Sequence, residues 1–260
     1  MNFFLEQSIA YAQQRSYLDD LFNVYPTIPN GIRDIDKDLW YKVEKAYNGK
    51  SDKALINSLL DLEIFPIKDS YVAYLKRDKD AINRNPQTIK RLAAEVREMN
   101  LTELFQKCSQ PKETNRQIGP MFKYWVEHKR FGFPKMDVEE FSRTRKDAIL
   151  CASDSEMKDF ASNHLGYSHE KGLDFIARIS GQYIIGEAKF LTDFGGHQNA
   201  QFNDAIATIK SRAKAIKVAI LDGVLYIEGN NKMYKDITTT YKDKNIMSAL
   251  LLPTFLNYVK

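Results

Sequence analysis

Three residues in one short stretch carry side chains and a spacing suited to chemistry. They are Asp174, Glu187 and Lys189, within KGLDFIARISGQYIIGEAKF, residues 171–190. Side chains alternate along a strand, so Tyr183, Ile185, Glu187 and Lys189 share one face of an extended segment. Two carboxylates and an ammonium gathered on one spot suit a hard cation. Mg²⁺ takes oxygen ligands and keeps several waters, so Asp174, Glu187 and the main-chain carbonyl of Ala188 suffice to hold it. Such an ion polarises a phosphate and acidifies a bound water. Lys189 then orients that water or offsets charge on a phosphorane-like transition state. An ammonium is a poor base unless its pKa falls, so its role is electrostatic.

The element that must position these groups is a hairpin. Two apolar, β-prone runs, Leu173–Ile179 and Tyr183–Phe190, flank the turn Ser180-Gly181-Gln182. Asp174 opens the first strand, and Glu187-Ala188-Lys189 begins thirteen positions later. A surface salt bridge on an amphipathic hairpin is the plainer alternative. Against it, the second strand is apolar on both faces, and a buried charge needs a partner or a metal.

Asp174 followed by Glu187-Ala188-Lys189 resembles the PD-(D/E)xK nuclease motif, with Leu173 in place of its proline. The run from Glu187 through Gly195-Gly196-His197-Gln198-Asn199 to Phe202 resembles a type II restriction endonuclease. The resemblance is specific over residues 171–204 and general over 111–260. It implies an α/β (α+β) fold, a restriction-endonuclease-like mixed β-sheet core flanked by helices. It implies Asp174, Glu187 and Lys189 as catalytic residues and Asp174, Glu187 and Ala188 as ligands of Mg²⁺. The expected reaction is a double-strand cut in DNA at a short sequence, leaving 5′-phosphate and 3′-hydroxyl ends. The expected partners are double-stranded DNA and a second copy of the chain. A cognate DNA methyltransferase is expected in the same host, not bound to this protein. An early Glu often stands near the metal in such nucleases, and Glu113 and Glu156 are candidates. Lys171, just before Asp174, is a further candidate for a supporting role. Two other functions fit the same residues: a structure-specific or repair nuclease of this fold, and a non-catalytic DNA-binding protein.

Composition sets wide bounds. The chain has 260 residues, 43% of them hydrophobic, enough for a sizeable core. Net charge is +4 and pI about 8.8, which suits a polyanionic partner without demanding one. The two cysteines, Cys108 and Cys151, form neither a disulfide framework nor a metal spacing. No signal peptide and no membrane span is expected; Leu250–Leu256 is short and broken by Pro253. The expected location is cytoplasmic.

The expected organisation is a helical region over residues 1–100, serving support, DNA binding or dimerisation, and a catalytic domain over 101–260. Breaks fall at Pro26–Gly31 and Asn48-Gly49, and Ser51 reads as the cap of a helix over Ala54–Leu62. Thr102 reads as the cap of a short helix ending near Cys108. Lys76, Arg77, Lys79, Arg84, Lys90 and Arg91 form a basic concentration, read either as a solvated face or as phosphate contacts. Arg143, Arg145 and Lys146 form a second basic group suited to guanine or phosphate. The polar segment 191–204 is the expected recognition loop. Its Thr192, Asp193, His197, Gln198, Asn199 and Gln201 carry groups that pair with base edges. Gly195 and Gly196 would let the backbone approach DNA closely. A helix is expected over Asn199–Ala215. Two strands are expected around Asp222-Gly223, and a closing helix over 245–259.

Overall fold

The computed structural model describes residues 1–26, 34–110 and 118–260. The chain divides into two compact units, Met1–Thr27 with Glu113–Lys260 and Ile28–Lys112. A single cut near residue 100 does not follow this division, because the first residues belong with the last ones. The Asn2 N–H donates to the Lys242 carbonyl at 2.6 Å, and Phe4 packs edge-on against Phe255. The expected break over Pro26–Gly31 lies mostly outside the described residues.

The described part of the larger unit holds one six-stranded sheet whose strands lie side by side in chain order. They are β1 (Lys135–Met136), β2 (Ala148–Leu150), β3 (Phe175–Ile179), β4 (Gln182–Leu191), β5 (Ile216–Gly223) and β6 (Ile246–Met247). β2, β3 and β4 run antiparallel to their neighbours among themselves, whereas β1–β2, β4–β5 and β5–β6 are parallel. Parallel neighbours need a crossover, and the helix Gly196–Lys210 supplies it between β4 and β5. This is the mixed sheet with flanking helices expected of a restriction-endonuclease-like α+β fold. All five residues of β3 are buried, which is why that strand reads as a continuous apolar run.

The Asp222-Gly223 dipeptide does not turn a hairpin. β5 is one strand ending at Gly223, followed by a 3₁₀ turn over Val224–Tyr226. The local signal is overridden because β5 pairs in parallel with β4 over eight residues. The closing segment is likewise split into β6, a 3₁₀ turn over Ala249–Leu251 and a helix over Leu252–Val259. Pro253 sits in the first turn of that helix, where its missing N–H costs nothing.

The smaller unit is helical throughout its regular elements, from Lys37–Asn48 to Leu101–Cys108. Its core gathers Val43, Leu55, Ile56, Leu59, Leu92 and Leu104, all fully buried. Ser51 caps its helix as read from the sequence. Asn100, not Thr102, caps the last one, through a reciprocal pair with Glu103 that satisfies two free N–H groups.

Asp222 ties the first residues to the sheet. It is completely buried. Its Oδ1 accepts from Tyr17 Oη at 3.1 Å and Ser248 Oγ at 2.5 Å. Its Oδ2 accepts from Tyr25 Oη at 3.2 Å and the Ala249 N–H at 3.0 Å. Burial pushes the carboxyl up to about 6 against the pull of these four donors. A raised carboxyl pKa means the folded state binds the proton more tightly. Its stabilising effect is therefore complete below the ordinary value of 3.8 and lost as pH rises through about 6. We expect the unfolding free energy of the wild type, relative to Asp222→Asn, to fall by about 3 kcal/mol between roughly pH 4 and pH 7. Urea midpoints of both proteins across that range check it; a difference independent of pH would refute it.

Candidate active site

Asp174 stands one residue before β3. Its N–H donates to the Gly186 carbonyl at 3.1 Å, which carries the β3–β4 pairing one step past Phe175 and Gly186. The carboxylate thereby reaches the far end of β4. Asp174 Oδ2 accepts from the Ala188 N–H at 2.9 Å and from Lys189 Nζ at 3.2 Å. Lys189 Nζ also lies 2.6 Å from Glu187 Oε1. The expected trio is thus brought together, with Lys189 bridging the two carboxylates. In a strand, a residue's N–H and carbonyl point to the same neighbour, so the Ala188 carbonyl faces the side where Asp174 stands.

The approach to Asp174 is held by the helix Asp154–Leu165. Gly172 runs so close to it that a Cβ would lie 2.7 Å from Asp154 Cβ, so glycine is required for the contact. Leu173 N–H donates to the Asp154 carbonyl at 3.4 Å. Glu156 does not join the site. Its carboxylate caps this same helix, accepting from Ser153 N–H and Oγ at 2.8 and 2.6 Å. Glu113 lies outside the described residues.

The electrostatics follow from burial. Asp174 and Glu187 are 7% and 6% exposed. Burial first, and the charge of Asp174 second, raise the Glu187 carboxyl to about 7, while Lys189 pulls it back. Burial works against the Lys189 ammonium, but Asp174 and Glu187 together outweigh it and raise its pKa to about 12. Lys189 therefore stays charged at neutral pH. The charge of Asp204 also pushes Glu187 up. Asp204 lies on the Gly196–Lys210 helix and pairs with Lys171. Lys171 thus acts near the site through Asp204, a residue the sequence did not single out. No motif marks it; only the return of the crossover helix brings it back toward β4.

The recognition candidates sort into two kinds. Gln198 is buried and closes the loop, its Oε1 accepting from the Thr192 N–H and its Nε2 donating to Thr192 Oγ1, both at 3.3 Å. Asn199 Nδ2 donates to the Phe194 carbonyl at 3.2 Å, and Asp193 Oδ1 accepts from the Phe194 N–H at 2.7 Å. His197 lies exposed and Gln201 half-buried one turn on, their Nε2 atoms 3.2 Å from each other. Gly195 caps the helix, Gly196 begins it, and a Cβ on either would meet nothing within 4 Å. The fold itself does not demand glycine at these two positions. In the other basic group, Arg143 pairs with Glu139 at 2.5 Å, while Arg145 and Lys146 are exposed. Arg178 on β3, another residue not read from the sequence, pins this segment. It donates to the carbonyls of Phe141 and Lys146 at 2.8 and 3.0 Å and to Thr144 Oγ1 at 3.1 Å.

The donors at the end of β4 fit a hard divalent cation. All are oxygens, and the two carboxylates are buried side by side with a single ammonium between them. Among the described residues no group of three or more His, Cys, Asp or Glu side chains gathers to hold a metal. A cation bound at this place would take two carboxylates and a carbonyl from the protein and the rest of its shell from water, a set that Mg²⁺ accepts.

The family model described as Tsp45I type II restriction enzyme matches residues 2–259. No curated protein and no solved structure matches the chain.

Removing the bridging ammonium leaves two buried carboxylates facing each other. In metal-free buffer we expect Lys189→Met to lose about 3 kcal/mol of stability near pH 8. The loss should shrink near pH 5, because Glu187, already raised to about 7, takes up a proton and ends the repulsion. Urea midpoints of both proteins at the two pH values decide it; an equal loss at both would count against the arrangement.

Proposed function

The chain belongs to the Tsp45I type II restriction enzyme family, and from that premise we propose a Mg²⁺-dependent nuclease of the PD-(D/E)xK type with its active site at the end of β4. Family membership makes it a restriction endonuclease, a hydrolase acting on DNA, and sets aside the repair nuclease and the non-catalytic binder. The observation that carries the finer reading is Lys189 Nζ, 2.6 Å from Glu187 and 3.2 Å from Asp174.

In this reading Asp174, Glu187 and the Ala188 carbonyl hold the cation. When bound, it polarises the scissile phosphate and lowers the pKa of water. Lys189 has three N–H donors, and two point at the carboxylates. The third is available to an oxygen of the phosphate, where its charge counts most as negative charge develops. The Lys189 pKa of about 12 excludes it as the base. Glu187, at about 7, exchanges its proton near neutrality and so switches between neutral and anionic forms in the working range. Hydrolysis adds the hydroxyl of water to phosphorus and breaks the bond to the 3′ oxygen, which leaves as a hydroxyl after taking a proton.

The segment from Thr192 to Gln201 leaves directly from this site. Gln198, Thr192 and Asn199 hold it in shape, and the exposed His197 imidazole and half-buried Gln201 amide are the groups offered to the bases. Open space at Gly195 and Gly196 suits close approach of the DNA backbone. Arg143, Arg145 and Lys146 are secondary DNA contacts. The enzyme acts as a homodimer on a palindromic site. It belongs to a restriction–modification system whose methyltransferase protects the host. The helical unit serves support or dimerisation.

Digestion of unmethylated phage DNA with and without Mg²⁺, followed by sequencing of the ends, tests this. Discrete, Mg²⁺-dependent fragments sharing one short sequence are expected. Glu187→Ala should lower cleavage at least a thousandfold, roughly the worth of a major electrostatic contribution, yet keep binding to the same duplex in Ca²⁺. Undiminished cutting by this variant would remove Glu187 from the site.

A further inference from the structure

We propose that the concavity between the end of the Gly196–Lys210 helix and the start of β5 is a contact site for the phosphodiester backbone of DNA. The identity of the ligand rests on the DNA-cutting reading above. The cavity measures about 570 Å³, and Lys210, Arg212, Lys214 and Lys217 line it together with Leu165 and neutral neighbours. No Asp or Glu is among the lining residues.

What marks these four cations is that they share one concavity with no carboxylate on its wall. Several other basic side chains are cancelled by carboxylate partners. Lys79 pairs with Asp61, Arg84 with Asp78, Arg91 with Asp69 and Arg143 with Glu139. Much of the basic concentration over residues 76–91 is thus neutralised on the protein itself. Among the described residues, no carboxylate lies within ion-pair distance of Lys210, Arg212, Lys214 or Lys217. Two of them are steadied by neutral groups. Lys210 Nζ donates to Tyr241 Oη at 2.9 Å, and Lys217 Nζ donates to the Ser211 carbonyl at 2.8 Å. These contacts place the charges without offsetting them. A helix C-terminus favours cations, which accounts for Lys210 in the last turn. Arg212, Lys214 and Lys217 lie beyond that helix, and the dipole does not explain them.

The position suits the substrate. Lys217 is in register with Ile185 on β4, two residues before Glu187. Registered neighbours share a face, so Lys217 leaves the sheet on the side of Glu187 and Lys189, about 7 Å back along the strand. A duplex presents one phosphate per roughly 3.4 Å on each strand. Phosphates near the scissile one therefore fall within reach of this cluster while the cut occurs at the end of β4. Four like charges in one concavity repel one another, and a polyanion relieves that repulsion by displacing its own counterions.

The test is the salt dependence of binding to a random-sequence duplex in Ca²⁺, read by fluorescence anisotropy. Arg212 and Lys214 are exposed, so Arg212→Gln/Lys214→Gln is expected to fold normally. Its slope of log affinity against log salt should be smaller by about 2, so that going from roughly 50 to 200 mM salt costs the wild type about tenfold more affinity than the variant. Lys79→Gln, whose cation is already paired, should keep the wild-type slope. A double variant with the wild-type slope, in an enzyme that still cuts DNA, overturns the contact alone. An equal drop for Lys79→Gln also overturns it, since any lost charge would then do the same. A wild type that neither binds nor cuts duplex DNA overturns the nuclease reading as well.

Discussion

The rest of the site depends on one ammonium lying between two buried carboxylates. Asp174 and Glu187 would repel each other strongly in this poorly hydrated place. Lys189 offsets that repulsion, and the Ala188 N–H adds a neutral donor to Asp174. A free acid–acid pair would end the repulsion by holding a proton; even with the lysine present, Asp174 and burial keep the Glu187 carboxyl raised to about 7. Carboxyls perturbed by burial and a neighbouring charge gather at functional sites.

Holding three charged groups in register requires a stiff frame. The antiparallel β3–β4 pairing places Asp174 beside Glu187, and one close approach, Gly172 against the start of the Asp154–Leu165 helix, directs the chain into β3. The far end of the neighbouring strand is anchored differently. Asp222 gathers two tyrosines, a serine and a main-chain N–H, and Tyr25 stacks on Phe190, the residue after Lys189. The first residues of the chain thus brace the strand that carries Glu187 and Lys189. A buried hub of this kind is satisfied in every contact, as burial of a carboxyl demands.

The same strand leads into the polar segment and the crossover helix. β4 ends at Leu191, Thr192 is clasped by Gln198, and the crossover helix that follows carries His197 and Gln201 at its start and Asp204 further along. His197, Gln201 and a group that influences Glu187 therefore share one rigid element. The crossover helix ends in Lys210, with Arg212 and Lys214 before β5 and Lys217 within it, so one strand–helix–strand unit carries Glu187 and Lys189 at one end and these cations at the other.

The hairpin, its alternation, the trio Asp174, Glu187 and Lys189, and the cap at Ser51 were legible in the sequence. Each is a short-range pattern: a strand period of two, a turn at Ser180-Gly181, or a hydroxyl before a helix. The family resemblance also lay in one contiguous stretch. Tertiary structure alone decided the rest. Asp222-Gly223 looked like a hairpin turn, yet a parallel edge on β4 straightened it into a strand and buried the aspartate. Glu156 looked available, yet its own helix end took it. Asp204, Arg178 and the uncancelled cluster from Lys210 to Lys217 carry no local mark, because their meaning lies in which charges stand nearby. Local backbone preference is written over a few residues. Burial and charge pairing are sums over groups that are far apart in the chain, and only the fold chooses those groups.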